Sequence, residues 1–190
     1  MCFISKKNQV TLEDNMIKKT FFKEQDFYTE LFFYQEFKEF TYLPKLIKFN
    51  DFSLFLEYLP GKNLYDISME NQLLLAKTLA EFHNFSANDK DFGITHFDTN
   101  LRNYIFYENK IYIIDFSEIS VDYHLNDVYS ALLFFSEIYD ENTFAVFFDK
   151  FFEIYANNRN ININHSVDIM DNAMKRFIDR RERIYPFRPS

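Results

Sequence analysis

Apolar and polar positions along this chain fall into two regimes. Up to Tyr58 the runs are short: Phe3 to Ser5, Val10 to Glu13, Met16 to Phe22, Leu46 to Phe49 and Phe52 to Tyr58 predict strands, with Asn50-Asp51 as a tight-turn pair. Between them, Glu24 to Phe40 carries Phe27, Leu31, Tyr34 and Phe37 at helical spacing. Pro60-Gly61 then breaks the chain, and the pattern turns helical. Asn71 to Phe85 holds Leu74, Leu75, Thr78, Leu79 and Phe82 in register, and Asn126 to Tyr139, Asn142 to Ala156 and Ser166 to Ile184 follow. One hairpin interrupts these helices, Tyr104 to Tyr107 and Ile111 to Ile114, turning at Glu108-Asn109-Lys110.

That order predicts an α+β chain with a small antiparallel sheet and one helix in residues 1–59, and a mainly helical part in residues 60–190. Composition adds little to it. The 190 residues are 47% hydrophobic and include 26 Phe, enough for a sizeable core in one domain or two small lobes sharing a cleft. A net charge of −8 disfavours general binding to nucleic acid or anionic membrane. A single cysteine, Cys2, excludes an internal disulfide, and no apolar run is long enough to span a bilayer. No charged-then-apolar leader opens the sequence, so a soluble, cytoplasmic protein is expected.

Chemistry enters with Thr95 to Phe116, THFDTNLRNYIFYENKIYIIDF. His96, Asp98 and Asn103 share one loop, and the hairpin doubles back to deliver Asp115 at a strand end. Two carboxylates and an amide converging at strand ends is what Mg²⁺-assisted phosphoryl transfer requires: one aspartate meets the attacking hydroxyl, while the other and the asparagine hold metal. The bland reading of the same residues is that Asp98 and Asn103 shape a turn and Asp115 caps a strand.

The motif H-x-D-x-x-x-x-N, followed by a hairpin and I-D-F, resembles the catalytic core of the protein-kinase-like superfamily. Within it the chain looks like the small atypical kinases: lipopolysaccharide (Kdo) kinases, aminoglycoside and choline phosphotransferases, and the kinase associated with the KEOPS complex. The resemblance implies a two-lobed protein-kinase-like fold with its boundary between Leu59 and Asn63. It also implies an ATP- and Mg²⁺-dependent phosphotransferase. Asp98 would be the catalytic base, Asn103 and Asp115 the metal ligands, and Lys18 the phosphate lysine, following an apolar pair as in V-A-I-K, with Glu30 orienting it. Lys19 is the fallback, because strand neighbours point to opposite faces. Leu54 to Leu59 resembles a hinge strand whose backbone at Glu57 and Leu59 would meet adenine.

Some features depart from that pattern or stay open. Asp91-Phe92-Gly93 spells the metal-binding kinase motif but precedes Asp98, in the wrong order, and reads as a loop turn with Gly93 supplying backbone freedom. The interval expected to cover the phosphates, Ser5-Lys6-Lys7-Asn8-Gln9, has no glycine. Arg102 and Asn100 are single-position matches to tyrosine kinases and Kdo kinases. Asp127 reads equally as a brace for the catalytic loop or as a helix N-terminal charge. His96 and His83 read as structural, and Glu118 as a metal aid or a solvated residue. The basic run from Lys175 to Arg188 reads as a substrate-binding surface or a solvated final helix. The acceptor is expected to be a hydroxyl of a sugar, a lipid-linked sugar or another small molecule. A compact Ser/Thr protein kinase or KEOPS-like kinase, a pseudokinase serving as an interaction module with a protein partner, and a metal-dependent hydrolase are the alternatives.

Overall fold

The computed structural model describes residues 2–4, 7–161 and 167–184. Strands β1 (Cys2–Ile4), β2 (Asn8–Glu13), β3 (Met16–Phe21), β4 (Leu46–Asn50) and β5 (Ser53–Glu57) form one antiparallel sheet in the order β1-β2-β3-β5-β4. Helix α1 (Glu24–Glu36) follows β3. Beyond the sheet come β6 (Lys62–Asn63), α2 (Met69–Gln72), α3 (Leu74–Phe85), β7 (Phe92–Thr95), β8 (Tyr104–Tyr107), β9 (Lys110–Ile113), β10 (Ser120–Tyr123), α4 (Leu125–Phe135), α5 (Glu141–Arg159) and α6 (Val167–Ile184). The α+β order with an antiparallel N-terminal sheet is as the periodicity predicts.

Boundaries shift where turn chemistry or packing decides. The first hairpin of the sheet's far edge turns one residue later than expected: Asp51 and Phe52 both take positive φ, and Asn50 pairs with Ser53. Phe52 accepts that conformation because its ring packs edge-on against Phe27 and Tyr28 of α1. In the hairpin before Asp115, Glu108 and Asn109 supply the two positive-φ residues of a two-residue turn, so Lys110 already belongs to the strand. Helix α1 ends at Glu36, four residues early, because Phe37 and Phe40 turn inward to the core. The long helix expected from Asn71 divides at Leu73 into α2 and α3.

Besides the short β6, which pairs with β8, two further strands were not expected. Phe92–Thr95 pairs antiparallel with Ser120–Tyr123, so the sequence read as a loop turn at Asp91-Phe92-Gly93 runs into a ladder. Gly93 does not take positive φ. It is needed for close approach: a Cβ there would meet the Ser86 carbonyl at 2.5 Å and His124 Nε2 at 2.7 Å.

The core that positions the site is aromatic. Phe33 of α1 stacks on Phe116 at 3.8 Å and on Phe37 at 4.3 Å, and Phe82 of α3 tilts against both Phe33 and Phe116. Phe116 directly follows Asp115, so this stack ties that aspartate to the helix carrying Glu30. Helix α3 packs on α5, and α6 packs on α4. Ser5 and Lys6 of the glycine-free interval, Ser166 and Arg188 lie outside the described residues, as do the side chains of Arg180, Arg181 and Arg183.

Candidate active site

Alternation along β3 decides which lysine enters the site. Lys18 pairs in register with Phe55, Lys19 with Leu54, and the two side chains leave opposite faces of the sheet. It is Lys19, not Lys18, that turns inward: its Nζ lies 2.6 Å from Glu30 Oε2 and 2.9 Å from Asp115 Oδ1. Lys18 instead stands 3.6 Å from Glu13 and over the Phe55 ring. The expectation for Lys18 is therefore corrected to its neighbour. An apolar pair before a lysine marks a strand, but pleat phase alone chooses the face.

Burial sets the charges. Glu30 is fully buried, which pushes its carboxyl up to about 7 against the pull of Lys19, and its Oε1 has no hydrogen-bond partner among the described residues. For Asp115, burial pushes upward too, but the Lys19 ammonium and the Ser117 hydroxyl outweigh it and hold the carboxyl at about 2. Lys19 follows the same balance: burial favours the neutral amine, yet Glu30 and Asp115 together raise its pKa. Asp115 thus stays ionised and presents a hard oxygen donor from backbone at φ 65, a conformation non-glycine residues adopt at a cost of about 1–3 kcal/mol.

The loop side is built from backbone locks. Asn103 Nδ2 donates to the Asp98 carbonyl at 2.9 Å, turning its amide oxygen away from that carbonyl. The Asn103 carbonyl accepts from Ile114 N–H at 2.9 Å, and His96 Nε2 donates to the Ile114 carbonyl at 2.9 Å. Both bonds fix the residue before Asp115, so loop and strand end move as one. Asn103 is thus joined to Asp98 on one side and to the residue before Asp115 on the other, and all three are half-buried.

Asp127 resolves in favour of the brace. Its carboxylate accepts the backbone N–H groups of His96 at 2.7 Å and Phe97 at 3.0 Å, and lies 3.2 Å from His83 Nε2. Because a carboxylate only accepts, Nε2 carries the hydrogen, and His83 Nδ1 accepts from the Tyr155 hydroxyl at 2.8 Å. Burial lowers the His83 pKa against the opposing pull of Asp127, with Arg159 and His96 adding to the lowering, so the ring stays neutral in that role. Phe97, at φ 67, is held in place by the same carboxylate immediately before Asp98.

Other candidates resolve less favourably. Asn100 accepts from Arg102 N–H and starts a short 3₁₀ turn, and Arg102 is exposed. Glu57 N–H is already used by the Lys45 carbonyl, and its carboxylate accepts from Lys45 N–H. Leu59 follows the end of β5 in irregular chain. Arg176 pairs with Asp122 and lies over the Phe97 ring, which fits a final helix docked on the acidic body. Lys7 pairs with Glu118, a contact with no signal in the sequence beyond the opposite charges. A groove of about 790 Å³ lined by Tyr34, Lys38, Phe40 and Leu46 holds none of these site residues.

No cluster of three or more His, Cys, Asp or Glu side chains suited to a metal occurs among the described residues. A lone carboxylate with an amide oxygen suits magnesium, which keeps waters and takes further oxygens from phosphates. No family model and no curated protein matches the chain. Solved structures do. An aminoglycoside-3'-phosphotransferase of type VIII superposes with a TM-score of 0.68 at 10% identity, covering 94% of this chain and 92% of that one. The fold is that of the aminoglycoside phosphotransferases. The streptomycin–ATP complex of APH(2")-IIa gives a TM-score of 0.65 at 14% identity, over 99% and 86% of the two chains. An amicoumacin kinase in complex with AMP-PNP, Ca²⁺ and Ami gives 0.64 at 11%, over 99% and 90%. No helix among the described residues is long and apolar enough to cross a membrane.

Proposed function

We propose that this protein is an ATP-dependent phosphotransferase that moves the γ-phosphate to a hydroxyl group of a small molecule. The observation that carries the reading is Lys19, a buried ammonium bridging Glu30 and Asp115. A structural ion pair needs one carboxylate. A second, half-exposed one at a strand end, beside Asn103 and Asp98, is the arrangement that phosphoryl transfer uses.

In this reading Glu30 orients Lys19 toward the α- and β-phosphates. Asp98 orients the acceptor hydroxyl and takes its proton. Asn103 and Asp115 supply the oxygen donors for Mg²⁺. Magnesium, when bound, neutralises phosphate charge. Backbone groups around Glu57 and Leu59, where β5 ends, would meet adenine, and the segment around Pro60 divides an N-terminal lobe of residues 1–59 from a C-terminal lobe of residues 60–190. Solved structures of similar fold support a small acceptor, since their names specify aminoglycoside, streptomycin and amicoumacin. A sugar, free or lipid-linked, falls within that class. A cytoplasmic setting, rich in ATP and Mg²⁺, goes with it.

The test is γ-phosphate transfer from labelled ATP to a panel of aminocyclitols, amino alcohols and sugars. Calorimetric binding of Mg-ATP to wild type, Asp98→Asn and Asp115→Asn is measured in parallel. The expected pattern is that wild type binds and transfers, Asp98→Asn binds without transferring, and Asp115→Asn loses Mg-ATP. Binding with no transfer to any acceptor would favour the pseudokinase. Undiminished transfer by Asp98→Asn would overturn the assigned roles.

A further inference from the structure

The interval between β1 and β2, where a phosphate-binding loop would be expected to carry glycine, instead ends in Lys7. Among the contacts of that residue are one of its backbone and one of its side chain. Its carbonyl accepts Phe22 N–H at 2.9 Å, just past β3, and its ammonium pairs with Glu118. Glu118 is three residues beyond Asp115, so the pair reaches across 111 positions of chain to join the sheet to the strand exit of the site. Both side chains remain partly exposed, 38% for Lys7 and 31% for Glu118. The Lys7 charge is also felt at Glu30, where it favours the carboxylate. Lys7 and Lys19 are thus two cations bordering the same acidic centre, one at its edge and one in its interior.

Their environments differ in a way that matters for a ligand. Lys19 is buried and held by two carboxylates, whereas an exposed pair such as Lys7–Glu118 contributes little to stability and exchanges partners readily. A triphosphate offers an ammonium several anionic oxygens and a larger total charge than the single carboxylate of Glu118, all capable of charge-assisted hydrogen bonds. A glycine-rich loop reaches phosphate with backbone N–H groups, and a lysine side chain reaches it as a point charge.

Resting on the kinase reading and deepening it, we infer that Lys7 is the phosphate clamp of the nucleotide site, parked on Glu118 until a triphosphate displaces that carboxylate. The Lys7–Glu118 pair is then an autoinhibitory contact that stands in for the missing glycine loop. Lys7 acts on the outer phosphates, so it discriminates triphosphate from monophosphate.

Calorimetry of wild type, Lys7→Ala, Glu118→Gln and the double variant with Mg-ATP and with AMP tests this. Thermal melting of each unliganded variant serves as a check on folding. Lys7→Ala should weaken Mg-ATP about tenfold and leave AMP unchanged, the loss of one charge-assisted contact. Glu118→Gln should tighten Mg-ATP about threefold or more, by removing the competing carboxylate. The double variant should behave as Lys7→Ala, because the competitor matters only while the clamp is present. Unchanged Mg-ATP affinity in Lys7→Ala overturns the clamp alone and leaves the kinase standing. Weaker Mg-ATP binding in Glu118→Gln also overturns it, pointing to Glu118 as a metal donor. Equal losses for ATP and AMP reduce Lys7 to a structural residue of the sheet. A wild type that binds neither nucleotide removes the kinase reading and the clamp together.

Discussion

Asp127 fastens the loop side of the site with three hydrogen bonds, buried ones to His96 N–H and His83 Nε2 and a part-buried one to Phe97 N–H. Lys7 sits at the edge of the sheet side in a half-exposed ion pair with Glu118. Every partner of Asp127 is fixed by the fold, and the ring of His83 is in turn stacked on His124 at 4.4 Å. The difference shows how one site reconciles two needs. The carboxylate of Asp127 sits where water competes little and its partners are fixed, while the Lys7–Glu118 pair sits where a ligand could reach it.

The largest effect should come from breaking the buried side. Asp127→Ala leaves the buried His96 N–H, the part-buried Phe97 N–H and the buried His83 Nε2–H without this acceptor, at a cost of about 3–5 kcal/mol in denaturant unfolding. Two residues in strained left-handed backbone, Phe97 and Asp115, border the region that this carboxylate steadies. Transfer activity should therefore fall even at temperatures where the variant stays folded. A loss below about 1 kcal/mol would mean that Asp127 is only a helix N-terminal charge.

The sheet side can be separated from the loop side by pH. Glu30 titrates at about 7 in the folded protein against an ordinary 4.5, so its folded form holds the proton more tightly. Its contribution is complete below 4.5 and is lost as pH rises toward 7. Asp115 runs the other way: its contribution is present above 3.8 and lost as pH falls toward about 2. Between pH 4.5 and 7, then, wild type should lose stability relative to Glu30→Gln. Melting curves of the two proteins across that window check this, and parallel curves would show that Glu30 is ionised throughout.

How much of this was legible in the sequence depends on which physical rule governed each residue. The sheet, α1 and the order of helices followed hydrophobic period, and Asn103 is joined to Asp98 and to the residue before Asp115 at a hairpin whose turn residues are local. Asp91-Phe92-Gly93 reads locally as a turn, and its strand leaves no local sign because Phe92–Thr95 pairs with Ser120–Tyr123, a partner no local pattern names. Asp127 could not be decided for the same reason: its acceptor role depends on backbone thirty residues upstream. The Lys7–Glu118 pair spans more of the chain still. Long-range polar contacts between exposed residues leave no periodic trace, whereas the Phe33–Phe116 stack at least announced itself as two apolar positions.

The smallest expected effect is the most discriminating for β3. Lys18 and Lys19 are chemically identical neighbours, and only pleat phase separates them. Lys18 is a third exposed, 3.6 Å from Glu13 and over the Phe55 ring, so Lys18→Ala should change stability by no more than about 0.5 kcal/mol and leave Mg-ATP affinity untouched. Lys19→Ala strips both Glu30 and Asp115 of their shared cation, and Mg-ATP binding should go with it. The comparison therefore tests the register of β3 as much as the role of either residue. If Lys18→Ala lost nucleotide and Lys19→Ala kept it, the strand would have to be shifted by one position. Such a slip would turn Phe21 out of the core, where it packs edge-on against Phe27, and would cost far more than one surface ion pair.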